Sequence, residues 1–260
     1  MHAPVILDTA FRDEAGRALA QAPCRDLAVG AALVLLFDST PWQRFRDHAL
    51  PLLSAAEQVR AQRFRNGHHR DAYVLAHAIW RLVLGTVLEL DGAQVLLTSS
   101  PEGQPQLPGT PYATSLSHTG NMVAIALTRA ACVGIDIEQS PTRVALRDLS
   151  KVVCTPAEIV ALEQLSPAQR DAALLALWTR KEALLKAFGV GLRESPDRIS
   201  ADAGVLIAPP PSAPAAPACR VHPLTLKPGL VGALATPASI IHIATHWIAP
   251  PMSEGIVDTP

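Results

Sequence analysis

Lysine is scarce in this sequence of 260 residues. Of its 22 basic residues, only four are lysines, which leaves 18 arginines, and no lysine precedes Lys151. The formal net charge is -1, which excludes the strong basic excess typical of a general nucleic-acid-binding domain. Two of the four lysines, Lys181 and Lys186, lie within one six-residue stretch. That stretch is therefore a first candidate for chemistry that needs an ammonium group.

Cysteines, aromatic residues and long apolar runs are also few. The four cysteines include no C-x-x-C pair, which argues against a zinc ribbon or a disulfide scaffold and predicts a cytoplasmic location. The longest apolar run, Leu27 to Phe37, is shorter than the roughly 20 residues that a membrane-spanning helix needs. Asp8 interrupts the only apolar stretch at the N-terminus and no basic region precedes it, so we expect no cleaved signal peptide.

Hydrophobic periodicity and capping signals predict an α+β fold. Apolar runs predict short strands, whereas S/T-x-x-E/Q signals at Ser54, Thr155 and Ser166 predict helix starts. The predicted strands cover residues 31–37, 95–98, 114–117, 122–128, 132–137, 198–201, 220–225, 231–235 and 240–247. The longer predicted helices cover residues 69–88 and 166–188, and Gly189 ends the second one.

This order of elements predicts two halves, each with helices packed on a small, mostly antiparallel sheet. We place a loosely attached N-terminal extension at residues 1–28 and the first α+β half at residues 29–130. The second α+β half, which carries the candidate metal site, takes residues 131–250, and a tail takes residues 251–260.

The segment Gly134-Ile-Asp136-Ile-Glu138 places two acids on one face of a predicted strand. Side chains alternate along a strand, so Asp136 and Glu138 share a face while the two isoleucines point to the core. Two adjacent carboxylates repel each other unless a cation lies between them, and hard oxygen ligands suit Mg²⁺. The alternative is a strand end whose acids are simply solvated.

The segment from Trp178 to Gly191 combines an acid, two lysines and two glycines. Glu182 and Lys186 are four residues apart and lie on one face of the predicted helix. For these two residues in isolation, an ordinary surface ion pair on an amphipathic helix explains the spacing better than a catalytic role does.

A third segment, Ser115-Leu-Ser117-His118-Thr119-Gly120, lies where two predicted strands meet. The pair Ser117 and His118 does not form a nucleophile and base, because neighbouring residues on a strand point to opposite faces and no G-x-S-x-G turn is present. The remaining interpretations are a hydrogen-bonded structural group or a phosphate-binding turn.

The order of the three segments resembles the 4′-phosphopantetheinyl transferase superfamily, specifically its larger Sfp-type members. The resemblance covers roughly residues 30 to 250 and is carried mainly by G-I-D-I-E and W-x-x-K-E-A-x-x-K-x-x-G-x-G. It implies a pseudo-dimer of two similar α/β halves in one chain, hence a monomer. It also implies transfer of the phosphopantetheine arm of coenzyme A to a serine of an apo acyl or peptidyl carrier protein, with release of 3′,5′-ADP.

The resemblance also implies roles for individual residues. Glu182 and Lys186 correspond to catalytic groups, the first as candidate base and the second as a contact of the phosphates and the leaving group. The Mg²⁺ ligands correspond to Asp136, Glu138 and Glu182. The residues that correspond to coenzyme A contacts are Gln104, Ser117, His118 and Lys186. The cations for its 3′-phosphate come from one or more of Arg60, Arg63, Arg65 and Arg70, of which we select Arg63 and Arg70, although spacing does not decide among the four.

One position departs from the family pattern. Many members carry a G-K-P loop whose lysine touches the coenzyme, whereas this chain reads Gly103-Gln104-Pro105. The alternative functions are therefore a non-catalytic protein that holds coenzyme A or a carrier protein in a degenerate site, and an unrelated Mg²⁺-dependent phosphotransferase. The pathway, whether fatty-acid, siderophore or another secondary-metabolite synthesis, stays open. Cations at Arg143, Arg147, Lys151 and Arg170 are a candidate surface for an acidic carrier.

Overall fold

The structure is a computed structural model that describes residues 9–142 and 146–252. The first eight residues of the predicted extension, Arg143 of the candidate carrier surface, and residues 253–260 of the predicted tail lie outside these ranges. The described chain has mixed helices and small sheets, which confirms the α+β class. The similarity of two halves and the predicted domain bounds stay predictions.

The chain divides into two compact units. Of the described residues, the first comprises 9–25, 37–95 and 247–252, and the second comprises 26–36, 96–142 and 146–246. The helices of the first unit are α1 (Ala10–Ala20), α2 (Arg46–Ala49), α3 (Ala55–Gln62) and α4 (Gly67–Leu88). Those of the second are α5 (Leu146–Val153), α6 (Pro156–Glu163) and α7 (Pro167–Phe188).

The strands form two four-stranded sheets and one small ribbon. The strands are β1 (Ala31–Asp38), β2 (Thr98–Ser99), β3 (Pro105–Gln106), β4 (Ala113–Thr119), β5 (Met122–Thr128), β6 (Gly134–Gln139), β7 (Leu206–Ile207), β8 (Cys219–Pro223), β9 (Leu230–Pro237) and β10 (His242–Trp247). One sheet has the order β10-β1-β5-β4 and the other the order β6-β9-β8-β7, while β2 pairs with β3. Strand pairs β2–β3, β4–β5, β6–β9, β7–β8 and β8–β9 are antiparallel.

The predicted strand at 198–201 is absent from the described residues, the one at 95–98 is displaced, and the predicted extension is packed. Of residues 95–98 only Thr98 lies in a strand, β2, and residues 92–94 before it form a 3-10 turn. Residues 196–198 also form a 3-10 turn. The expectation of a loose extension is wrong over α1, because Phe11 is fully buried and its ring meets Trp42 edge-on at 5.9 Å between centroids. Aromatic burial of this kind stabilises a terminal helix on the body of a protein.

Helix α4 is the longest helix of the first unit. By length and composition alone it could cross a membrane, yet 61% of its most apolar window is buried inside the structure. That burial is typical of a core helix. The residue that caps its C-terminus, Glu89, adopts a left-handed conformation at φ 55°.

Helix α7 is the central element of the second unit. It packs across β6, β8 and β9, and its apolar face includes Leu177, Leu184 and Phe188, all buried. Gly189 ends the helix in a left-handed conformation at φ 67°, as the sequence predicts. The predicted capping boxes at Ser54 and Thr155 are confirmed. The result is a rigid helix whose last two turns lie against β6, the strand that carries the paired acids.

Candidate functional site

Gly134 lets β6 and α7 approach more closely than any other residue would allow. A Cβ atom built on Gly134 would lie 1.9 Å from the carbonyl oxygen of Ala183 and 2.5 Å from the backbone nitrogen of Ala187. Both distances are far inside van der Waals contact, so only glycine fits. This close approach brings Lys186 of the helix onto Asp136, which lies two residues after Gly134 on the strand.

Lys186 and Asp136 form the centre of the candidate site. Nζ of Lys186 donates to Oδ1 of Asp136 at 2.7 Å and to the carbonyl oxygen of Ile135 at 3.0 Å. The side chain of Asp136 is only 8% exposed. The alternative of a solvated strand end is therefore wrong for Asp136. Lys186 makes its ion pair with the strand acid, across the contact between helix and strand.

Three acids, Asp136, Glu138 and Glu182, interact electrostatically with Lys186 or with one another. Burial and the nearby charge of Asp136 raise the pKa of Glu138 above its ordinary value, although hydrogen bonds from Thr119 and Trp178 oppose that rise. Burial and then the charge of Asp136 likewise raise the pKa of Glu182, against the effect of Lys186. A carboxyl group that is easier to protonate than usual is suited to accept a proton.

Alternate residues of β4 face β6 through their hydroxyl groups. Oγ of Ser115 accepts a hydrogen bond from the backbone N–H of Ile135 at 3.2 Å, and Oγ of Ser117 accepts one from Ile137 at 3.3 Å. Ser117 also donates to Oδ1 of Asp136 at 2.9 Å. The hydroxyls thus replace the backbone partners that a neighbouring strand would provide for β6.

Thr119 continues this series, because it donates from Oγ1 to Oε2 of Glu138 at 3.0 Å. The sequence argument missed this role for Thr119, and the role of Trp178 as a hydrogen-bond partner of Glu138. The signal that would have found Thr119 is the alternation of hydroxyl residues at 115, 117 and 119, which matches the period of a strand.

The remaining candidate residues take different places. His118 is exposed, whereas its neighbour Ser117 is buried, as expected for alternation along β4. Gln104 is brought to α7, where its amide meets the backbone carbonyls of the last turn. Arg63 follows α3 and Arg70 lies in the first turn of α4, both in the first unit. Their coenzyme contacts, like those of Ser117 and His118, stay predictions.

Whether the site can bind a metal ion depends on the side chains that the structure brings together there. Among residues 9–142 and 146–252, no group of three or more metal-ligating side chains is arranged to hold an ion. One atom nevertheless fits a cation, since Oδ2 of Asp136 is buried and has no hydrogen-bond partner. Mg²⁺ commonly binds to one or two protein carboxylates and completes its shell with water and substrate phosphates. The carboxylates therefore suit Mg²⁺ as part of a complex with a phosphate ligand.

Comparisons with known proteins agree with the resemblance found in the sequence. Residues 132–212 match the family model of the 4′-phosphopantetheinyl transferase superfamily. The chain is 34% identical to the 4′-phosphopantetheinyl transferase HetI of Nostoc sp. over 145 residues, which are 54% of this chain and 61% of that protein. It is 28% identical to the 4′-phosphopantetheinyl transferase psf-1 of Bacillus pumilus over 203 residues, 74% of this chain and 83% of that protein.

The first relatives match this chain over only part of their own length. The chain spans about three fifths of the curated relatives it matches first, 58% and 61% of their lengths. The matched family segment contains β6 and α7, the two elements that carry the paired acids and Lys186. The recognition made from the sequence is thereby confirmed.

Proposed function

From the confirmed resemblance to the 4′-phosphopantetheinyl transferase superfamily, we propose that this chain transfers the 4′-phosphopantetheine arm of coenzyme A to a serine of an apo carrier protein. The observation that carries the proposal is the ammonium of Lys186 at 2.7 Å from Asp136, with Glu138 and Glu182 close enough to respond to the same carboxylate. Acids and a cation concentrated at one point suit a reaction on a pyrophosphate.

The carrier serine attacks the phosphorus atom next to the pantetheine arm. A new bond forms between the serine oxygen and that phosphorus, and the bond to the bridging oxygen of the pyrophosphate breaks. The electron pair of the broken bond leaves with 3′,5′-ADP. The serine proton passes to Glu182, whose carboxylate acts as the general base.

Lys186 stabilises the negative charge that grows on the leaving phosphate, because its ammonium is a compact, mobile donor. Asp136 would hold the Mg²⁺ through its buried, unpartnered Oδ2, with Glu138 and Glu182 as the further candidate ligands. A bound Mg²⁺ supplies charge stabilisation at the pyrophosphate oxygens. We further propose a monomer in the cytoplasm, with an acidic acyl or peptidyl carrier as partner.

The test is a transfer assay with the purified full chain, coenzyme A, Mg²⁺ and a panel of apo acyl, peptidyl and aryl carriers. We expect one phosphopantetheine per carrier by intact-protein mass spectrometry, and none on a carrier whose acceptor serine is replaced by alanine. We also expect EDTA to abolish transfer and added Mg²⁺ to restore it. A panel with no mass gain contradicts the proposal.

A non-catalytic role is the second candidate, and the uncharged Gln104 at the position of the usual lysine is the observation that favours it. Isothermal titration calorimetry separates the two. Binding of coenzyme A or of an apo carrier, without turnover over the whole panel, would replace the transferase proposal with this one. Inhibition by ATP in place of 3′,5′-ADP would instead indicate an unrelated phosphotransferase.

A further inference from the structure

The amide of Gln104 caps the C-terminal end of α7. Its Nε2 donates to the carbonyl oxygens of Lys186 at 3.2 Å and of Ala187 at 3.1 Å. The last four carbonyls of a helix have no partner within the helix, so an outside donor stabilises that turn. Gln104 therefore binds to the backbone of the same turn from which the Lys186 side chain extends.

The loop that carries Gln104 is itself held in place. Oγ of Ser100 accepts hydrogen bonds from the backbone N–H groups of Glu102 and Gln104, both at 3.2 Å. The backbone N–H of Ser100 in turn donates to the carbonyl oxygen of Gln104 at 2.8 Å. Glu102 pairs with Arg193 at 2.6 Å, beyond the end of the helix. These contacts fix the backbone from which the amide reaches α7.

Gly189 leaves the space that the amide fills. A Cβ atom on Gly189 would lie 2.3 Å from Oε1 of Gln104, and Gly189 also adopts φ 67°, where side chains are disfavoured. The glycine after α7 thus serves two purposes, since it ends the helix and admits the capping amide. Gln104 and Gly189 form one packed unit.

We propose that Gln104 is a positioning residue, which sets the last turn of α7 and thereby the place of the Lys186 ammonium against Asp136. The inference rests on the proposed function, and it differs from the direct coenzyme contact implied by the family pattern. Both side-chain donors of the Gln104 amide face the helix, so its defined contacts are with the protein. The amide acts on the reaction through the backbone of Lys186.

The kinetic test uses Gln104→Met, which keeps the length of the side chain and removes both donors. We expect kcat to fall about tenfold while the KM for coenzyme A stays within about twofold, because misplacement of a catalytic group lowers the rate of the chemical step. The matched control is Gln106→Met, at an exposed position two residues further on. A raised KM with unchanged kcat overturns the proposal, since it indicates a coenzyme contact.

A second measurement does not depend on transfer. Hydrogen–deuterium exchange, followed by mass spectrometry, reports on peptides that cover residues 183–190. We expect these amides to exchange roughly tenfold faster in Gln104→Met than in the wild type, with the peptides of α4 unchanged. Equal exchange overturns the positioning role even if the wild type proves inactive. Faster exchange in an inactive protein supports the positioning role while the proposed function fails.

The contact with Gly189 gives a third readout. Gly189→Ala is expected to destabilise the wild type more than it destabilises a Gln104→Ala variant, because removal of the amide relieves the clash and leaves only the backbone strain. Urea unfolding of the four proteins measures the difference. If the two substitutions have additive effects on the free energy of unfolding, the proposed packing of Gln104 against Gly189 is wrong. If Gln104→Met does not fold, Gln104→Asn, whose shorter amide cannot reach both carbonyls, replaces it in the first two measurements.

Discussion

The ammonium of Lys181 lies 2.6 Å from Oε2 of Glu158, and the side chain of Lys181 is 0% exposed. The same ammonium donates to the carbonyl oxygens of Val153 at 2.7 Å and Pro196 at 2.9 Å. An ammonium has three donors, and all three are used here. Lys181 therefore ties α7 to the end of α5, to α6 and to the turn at Pro196, whereas Lys186, five residues later, faces the site.

Removal of this buried cation should strongly destabilise the protein. We expect Lys181→Met to lower the free energy of unfolding by about 3–5 kcal/mol, because it leaves the Glu158 carboxylate partly buried without its cation. Urea denaturation measures the change. The exposed Lys151→Met is the control and should differ from the wild type by less than about 0.5 kcal/mol. A Lys181→Met variant as stable as this control would refute the structural role.

Gly134 should tolerate no side chain. Gly134→Ala forces a methyl group against the backbone of Ala183 and Ala187, so we expect a loss of about 3 kcal/mol or more in unfolding free energy, together with loss of transfer. Gly16→Ala is the matched control, since nothing lies within 4 Å of that added methyl and alanine favours a helix interior. Thermal unfolding should rank the control at or above the wild type; the opposite order would contradict the close approach.

Glu182 should be needed for turnover. Glu182→Gln keeps the size of the side chain but removes the proton acceptor, so we expect transfer to fall by about 100-fold or more. Circular dichroism should show an intact fold. The exposed Glu163→Gln controls for the loss of one negative charge and should retain full activity. Wild-type rates in Glu182→Gln would remove its assignment as base.

His77 in the first unit should make stability depend on pH. Its Nδ1 lies 2.9 Å from Oε1 of Glu57, and Arg60, Arg81 and the ring of Tyr73 also face it. Burial lowers the pKa of His77 despite the attraction of Glu57. The unfolded chain therefore binds more protons than the folded chain as pH falls below about 6.5. The stability that depends on neutral His77 is present above that value and is lost in acid.

Glu57 acts in the same direction at lower pH. Burial opposes its ionisation, but hydrogen bonds from His77 and Ser54 hold the pKa of Glu57 at about 2. The stability that ionised Glu57 contributes is present above the pKa of this carboxyl in the unfolded chain and is lost as pH falls towards 2.

The test of the His77 prediction is urea unfolding at several pH values. We expect urea midpoints to rise from pH 5 to pH 7.5 more steeply in the wild type than in His77→Gln, whereas His68→Gln, at an exposed position, keeps the wild-type slope. Equal slopes in all three would contradict the prediction.

Local patterns in the sequence predicted the elements that carry the site. Alternation placed Asp136 and Glu138 on one face of β6, and the spacing of Glu182 and Lys186 placed both on α7, which Gly189 ends. These predictions succeeded because strand and helix periods follow from backbone geometry alone. The strand expected at 198–201 is absent and the one expected at 95–98 begins only at Thr98, because short apolar runs also suit the turns that pack against a core.

The scarcity of lysine marked Lys181 and Lys186 from the sequence, but it could not divide their roles. Neighbours five apart on a helix point in different directions, and what each one meets depends on chain segments far away in sequence. Only the tertiary structure sends Lys181 to Glu158 and Lys186 to Asp136, and turns Gln104 to the end of α7. The sequence determined which residues carry charge and on which face they lie; packing at Gly134 and Gly189 decided which of them meet.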